Sequence, residues 1–374
     1  MQTEPRINHG DTSPDNHDLS IPPLFRPLTL RSITLRNRIM VSPMCQYSSV
    51  DGFASDWHLV HLSSFAVGGA GLVMTEATAV EARGRISPQD LGIYQDEHIE
   101  MLSRINHFII EQGAVPAIQL AHAGRKASCY RPWSGSGELP IEEGRWQTIG
   151  PSTQRFSEHY PLPHELSQQE IAEVVQHFQD AARRAIQAGF QIIEVHGAHG
   201  YLAHEFLSPL SNHREDEYGG SLTNRMRMLL EIVDAIRQAI PEELPLFVRL
   251  SASEWTQGGL TIDDSIEIAR ALKKHGVDLI DASSGGNVAT ATIPLVPGYQ
   301  VPFAEQIRHH TGIATAAVGL ITEPEQANEI VLSQQADLVA LAREFLRDPH
   351  WPKHAAQVLG YNMTWPSQYV RAKR

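Results

Sequence analysis

Between Glu194 and Leu207 the chain reads EVHGAHGYLAHEFL, which gathers His196, His199, Tyr201 and His204 within nine positions. Imidazoles at that density do one of two jobs: they ligate a transition metal, or they donate hydrogen bonds and protons to a polar organic group. A catalytic zinc or two-metal site usually draws carboxylates or further histidines from neighbouring elements. The polar residues at comparable places elsewhere are Gln119, Arg249 and Arg343. Two fixed cations are poor company for a dication. The pattern favours an organic substrate, with a metal-dependent hydrolase or lyase built on His196, His199 and His204 as the competing reading.

A second group of residues suits an anion. Gly319 and the pair Ala342-Arg343 close the last two β-like runs, where backbone N–H groups and a guanidinium hold phosphate well. Gln119 offers a donor and an acceptor to a uracil-like edge, and Arg249 is a counter-charge for a ring that gains electrons. Phosphate plus a planar, imide-edged ring describes flavin mononucleotide.

These residues need elements to bring them together. Strand-like runs at 38–42, 71–75, 115–120, 191–195, 246–250, 277–281, 313–318 and 336–341 alternate with helical patterns at 56–67, 97–112, 168–188, 222–240, 262–275, 303–310, 323–332 and after Arg343. Repeated β–α alternation implies a parallel sheet, and eight units close most simply into a single (β/α)8 TIM barrel. Its chemistry belongs at the C-terminal ends of the strands, where Cys45, Glu76, Gln119, His196, Arg249, Ser283, Gly319 and Arg343 fall. Leu28–Leu30 and Ile33–Leu35 read as a hairpin plugging the barrel bottom. The Gly-, Pro- and Trp-rich stretch 121–166 is too long for an ordinary connection and reads as a capping excursion or lid after strand three. A doubly wound open sheet is the alternative, weakened because no strand is followed by GxGxxG.

The 43 acidic and 30 basic residues among 374 give a net charge of −13, which offers no footprint for nucleic acid. No run approaches the ~20 apolar residues of a membrane span, and the first twenty residues lack the apolar core of a secretory signal. Two cysteines, Cys45 and Cys129, make neither a disulfide framework nor a zinc set. The expectation is a reduced, cytoplasmic protein with a loose polar tail at 1–21 and one barrel domain over 22–374.

Several motifs, taken in order, resemble the old yellow enzyme family of FMN-dependent ene-reductases. They are SPMCQY at 42–47, DWHLVHL at 56–62, GLVMTEATAV at 71–80, QLAHAGRKA at 119–127, HGAHGYLAHEFLSPLSNHREDEYGGSLTNRMRMLLE at 196–231, VRLSASEW at 248–255, AVGLIT at 317–322, REFLRDP at 343–349 and PSQYVRA at 366–372. Cys45 with Tyr47 is similar to the branch of bacterial YqjM-type and xenobiotic-reductase-type enzymes. The resemblance implies that Pro43, Met44, Cys45 and Ala77 line the flavin, with the Cys45 thiol tuning its potential. Gln119 and Arg249 would hold the ring edge, and Gly319, Ala342 and Arg343 the phosphate. His196 and His199 would bind the carbonyl oxygen of an enone, enal or maleimide, or an oxygen of a nitro compound; Tyr201 would donate the proton, and Tyr47 would form a pocket wall. Arg371 resembles a C-terminal arginine that reaches a neighbouring subunit, which implies a homodimer or homotetramer. NADPH or NADH would reduce the flavin in a ping-pong cycle. Relatives often carry Gly where this chain has Ala342; a backbone N–H survives that change. Iron–sulfur flavin barrels and a non-enzymatic flavin sensor are the remaining alternatives.

Overall fold

The computed structural model describes residues 21–373, so the tail expected at 1–21 lies outside the described residues except for Ile21. Apolar and β-branched residues make up most of eight short, almost wholly buried strands. They are β1 (Ile39–Val41), β2 (Leu72–Ala79), β3 (Val115–Ala121), β4 (Ile192–Gly197), β5 (Leu246–Ser251), β6 (Leu279–Ser283), β7 (Ala314–Val318) and β8 (Leu338–Leu341). All eight pair in parallel in sequence order, and β8 pairs with β1 to close the barrel. Closure removes the open-sheet alternative.

Around the barrel run α1 (Asp56–Gly68), α2 (Ile99–Glu111), α3 (Gln168–Gln187), α4 (Leu202–Leu207), α5 (Leu222–Ala239), α6 (Ile262–Lys274), α7 (Val301–Thr311), α8 (Pro324–Leu332), α9 (Arg343–Arg347) and α10 (Trp351–Val358). Local chemistry sets their ends. Ser167 with Glu170 and Thr261 with Asp264 form capping boxes on α3 and α6, while Gly189, at φ +86°, lets the chain leave α3.

Strand alternation organises the barrel interior. Its lower inward layer is apolar, with Met40, Leu72, Ala117, Ile192, Phe247, Leu279, Ala316 and Leu338 in one cluster. The antiparallel hairpin Leu28–Leu30/Ile33–Leu35 packs its apolar residues onto that cluster and closes the floor. Two residues further along the same faces stand Gln119, Glu194, Arg249 and Asp281; two beyond those stand Ala121, His196, Ser251 and Ser283. The register sets Gln119 beside Glu194, His196 beside Arg249, and Arg249 beside Asp281.

The excursion at 121–166 contains short 3-10 turns and a two-residue parallel pairing of Ile149–Gly150 with His164–Glu165. Most bounds shift by a few residues from the sequence reading, and some elements differ more. β2 continues to Ala79 through an irregularity between Met74 and Ala77, and β6 runs from Leu279 to Ser283 rather than over 277–281. The helix after Arg343 is two helices, because Pro349 disfavours helical geometry at Asp348. The short α4 is too brief to show a periodic pattern.

Candidate active site

The turn that follows β4 carries the histidine-rich stretch. His196 is the inward residue near the strand end and is 4% exposed, with Nδ1 lacking any hydrogen-bond partner. His199 is half-buried and left-handed, at φ +60°. Its N–H donates to Ser251 Oγ at 2.9 Å and its Nε2 lies 2.7 Å from Ser283 Oγ. The two rings meet edge to face at 5.2 Å, and His196 meets the Tyr201 ring at 4.9 Å. Burial, with Arg249 next, holds both imidazoles well below their ordinary pKa. They are therefore neutral at pH 7, each with one N–H to donate. Burial drives Tyr201 well above the usual phenol value, so its O–H stays protonated.

His204 does not join them. Its Nδ1 accepts from Gly200 N at 2.9 Å and its Nε2 pairs with Glu254 Oε1 at 3.2 Å, both side chains fully buried. The three-histidine metal reading loses its third ligand, and no group of three or more metal-ligating side chains converges among the described residues.

One layer below lies a charged network that the sequence reading missed. Gln119 Nε2 donates to Glu194 Oε1 at 2.8 Å, and Arg249 Nε lies 3.2 Å from Asp281 Oδ2. Glu194 and Asp281 are completely buried. Burial pushes both carboxyls up, and Asp281 raises Glu194 further while Arg249 opposes. Burial and Asp281 favour a retained proton on Glu194, while Arg249 pairs directly with Asp281.

Beside this network a cavity of about 210 Å³ opens at the β7 and β8 ends. Arg249, Ser283, Tyr299, Gln300, Gly319, Leu320, Ala342 and Arg343 line it. Gly319 sits at φ +129°, where a Cβ would come within 3.0 Å of Gln300 Nε2 and Tyr299 Cε1; the wall is closed to any side chain there. Gln300, buried, is fixed by donating to Val318 O at 3.0 Å and accepting from Ser284 Oγ at 2.6 Å. Next around the mouth, beside β8, the loop after β1 presents partly buried Pro43, Met44, Cys45 and Tyr47. Glu76 Oε2 accepts from Gln46 N at 2.9 Å and so ties that loop to β2. Burial keeps the Cys45 thiol protonated, with Tyr47 and the Ala77 backbone beside it. Tyr47 (φ +48°) meets Trp133 of the excursion edge to face at 5.8 Å.

The comparisons with known proteins fit this geometry. The family model of the NADH:flavin oxidoreductase / NADH oxidase family matches residues 23–362. The chain belongs to this family. It is 52% identical over 353 residues to an NADPH dehydrogenase of Geobacillus sp. (strain WCH70), covering 94% of this chain and 98% of that relative. An NADPH dehydrogenase of Bacillus subtilis (strain 168) is 49% identical over 350 residues, covering 93% and 98%. Among solved structures, morphinone reductase aligns with a TM-score of 0.77 at 26% identity, covering 92% of each chain. The protein is thus a flavin oxidoreductase of the old yellow enzyme family, with FMN and a nicotinamide dinucleotide as its cofactors.

The residues present fit FMN. Two guanidiniums, Arg249 and Arg343, line one cavity in which a Cβ at Gly319 would crowd Gln300 and Tyr299. Gln119 has donated only one amide hydrogen, to Glu194. The structure brings together His196, His199, Tyr201, Arg249, Gly319, Ala342, Arg343 and the Cys45 loop around one barrel mouth. It does not bring Arg371 there: that residue lies exposed in the 3-10 segment Ser367–Ala372 and does not line the cavity.

Proposed function

We propose that the protein reduces the activated C=C bond of α,β-unsaturated carbonyl compounds (enones, enals and maleimides), with nitro compounds as a further substrate class. The observation that carries the reading is the neutral His196–His199 pair with the protonated Tyr201 packed against it. FMN, when bound, would supply the hydride chemistry, with NADPH or NADH as the reductant. As hydride reaches the β-carbon, negative charge gathers on the carbonyl oxygen. An N–H from each neutral imidazole stabilises that charge more than it stabilises the ground state. Burial first, and the positive charge of Arg249 second, keep both rings neutral, so they act as hydrogen-bond donors and not as acids. The acid is Tyr201, whose phenol hands its proton to the α-carbon.

Gln119 and Arg249 would hold the flavin ring in this reading, with Pro43, Met44, Cys45 and Ala77 lining its site. Gly319, Ala342 and Arg343 hold the phosphate. Tyr47 walls the substrate pocket, and exposed Arg371 serves a neighbouring copy in a homodimer or homotetramer. Nicotinamide and enone take turns at one face, so the kinetics are ping-pong. The test is anaerobic NADPH oxidation by the purified, FMN-loaded protein with 2-cyclohexenone. Parallel lines in double-reciprocal plots support the proposal; a protein that consumes no NADPH with any enone refutes it. His196→Ala and His199→Ala should each lower kcat by about 10²–10³, as loss of one oxyanion donor does elsewhere, while FMN stays bound.

A further inference from the structure

Lys126 has no part in the mechanism above, yet it sits where the two reacting loops meet. It closes the 3-10 turn Gly124–Lys126 just after β3. Its Nζ donates to the carbonyl of His199 at 2.8 Å and to that of Gly286. These partners lie 73 and 160 residues away, on the loops after β4 and β6. The same ammonium is 4.1 Å from the Phe156 ring centre and 5.5 Å from that of Tyr201. A solvated surface lysine has no such surroundings.

The backbone at this junction is unusual. His199 is left-handed at φ +60°, followed by Gly200 at +72°, and they face Gly286 at +89°. A Cβ on Gly286 would come 2.7 Å from His199 Cα, and one on Gly200 would come 2.4 Å from Gly286 O. Left-handed geometry at a non-glycine residue persists only when its surroundings fix it. The carbonyls of His199 and Gly286 converge on one point, and their dipoles repel unless a donor stands there. Lys126 is that donor. Next to it, Arg125 Nη2 donates to Asn287 O at 2.7 Å and to Asn287 Oδ1 at 3.0 Å, which secures the β6 loop separately.

We propose that Lys126 is a positioning residue for enone reduction. Its amine bridges the His199 and Gly286 carbonyls and locks the turn that aims the His199 imidazole and the Tyr201 phenol at the substrate. This rests on the functional reading of His199 and Tyr201 given above. Burial and Arg125 push the amine down to about 7. A neutral amine still carries two N–H groups, one for each carbonyl, so the bridge outlasts the charge.

The test compares Lys126→Met, which keeps the stem and removes the donors, with Lys126→Arg, which keeps donors, both as FMN-loaded protein. The readouts are FMN content, Tm, affinity for p-hydroxybenzaldehyde from its long-wavelength charge-transfer band, and kcat and KM for 2-cyclohexenone. Lys126→Met is expected to keep FMN and to lose about tenfold in phenol affinity and about thirtyfold in kcat, the scale of removing a hydrogen bond to a charged group. Lys126→Arg is expected to recover part of both. Gly286→Ala presses on His199 from the opposite side and should reproduce the defect. The double variant should be no worse than the worse single one, because both act on one turn. Wild-type phenol affinity and kcat in Lys126→Met overturn the proposal. So does an activity loss that only follows lost FMN and lost Tm with no recovery in Lys126→Arg. A wild-type protein with no phenol band and no enone turnover overturns the functional reading, and this proposal falls with it.

Discussion

Replacing Asp281 with Asn should harm the protein far less than breaking a buried ion pair normally does, and the reason is Glu194. At 3.2 Å the attraction between Arg249 and Asp281 is about 5 kcal/mol gross at an effective dielectric constant near 20. Removing one partner of such a pair usually costs about 3–5 kcal/mol, because it strands a buried charge. Here a second carboxyl stands by. Burial and Asp281 are the two causes that hold the proton on Glu194. Once Asp281 is neutral, the like charge is gone and only Arg249 acts on Glu194 electrostatically, favouring its ionised form. Glu194 releases its proton and becomes the new counter-ion. The single variant should then lose about 1–2 kcal/mol, the residue of the usual cost after compensation.

Glu194→Gln replaces a protonated acid by an amide that still accepts from Gln119 Nε2, and should cost under about 1 kcal/mol. With both changes Arg249 has no carboxylate in reach, and the full cost of about 3–5 kcal/mol returns. The double variant should therefore exceed the sum of the singles by about 1–2 kcal/mol, above the ~0.5 kcal/mol within which independent sites add. Urea unfolding of the four FMN-loaded proteins at pH 7 measures the cycle. Strict additivity, or Glu194→Gln costing more than Asp281→Asn, would refute the shared-proton reasoning.

Three further outcomes follow from the same geometry. Arg343→Ala should release FMN on desalting, with flavin absorbance in the filtrate reporting it; retention of full FMN would remove Arg343 from the phosphate site. Tyr201→Phe should leave FMN reduction by NADPH unchanged in stopped flow while slowing enone-dependent reoxidation by about 10²–10⁴, the range for loss of a general acid; equal slowing of both half-reactions would count against a proton-donor role. Stability should peak on the acid side of neutrality. Burial raises Glu205 to about 8, so the native state holds a proton that the unfolded chain has lost. That contribution is complete below the unfolded value and fades as pH rises to 8, with a slope of up to about 1.4 kcal/mol per pH unit. Glu254, held at about 2 by His204 and the Leu260 N–H despite its burial, works the other way and loses its contribution as pH falls below the usual carboxylate range. Melting scans from pH 4 to 9 should show the peak, and Glu205→Gln should flatten its alkaline side.

The sequence made the barrel legible because period-2 and period-3.6 patterns alternate eight times, and each predicted strand lies within a few residues of an observed one. Gln119, Arg249, His196, Gly319 and Arg343 were legible for a related reason: strand ends in a barrel converge on one rim. Glu194 and Asp281 were missed although their signal was present. Each is a charged residue inside an otherwise apolar strand, in phase with an inward-facing neighbour: Ile192-x-Glu194-x-His196 and Leu279-x-Asp281-x-Ser283. Extending the inward phase one step below the strand ends would have found both. Lys126 is a different case, since its partners are backbone carbonyls on two other loops, and no side-chain pattern announces a carbonyl. His204, the third histidine of the cluster, is tied off by its buried pairing with Glu254, a partner 50 residues away that local spacing does not announce.

The order of layers explains why the chemistry needs this network. Arg249 has two duties that conflict. On the proposed reading it must stay charged at the flavin edge and beside His196 and His199, where it adds to burial in keeping both rings neutral, and it must survive 5% exposure without being stranded. Two ionised carboxylates would meet the second duty and defeat the first, leaving the site net negative and favouring protonated imidazoles. No carboxylate would meet the first and leave the guanidinium unpaired over an apolar floor of Phe247, Leu279 and Ile192. One carboxylate and one retained proton satisfy both, and the proton rests on whichever carboxyl the guanidinium engages less. Arg249 pairs directly with Asp281, while Glu194 is left to receive the Gln119 amide. The acid that looks redundant thereby orients Gln119, and on the proposed reading leaves the remainder of that amide for the flavin edge.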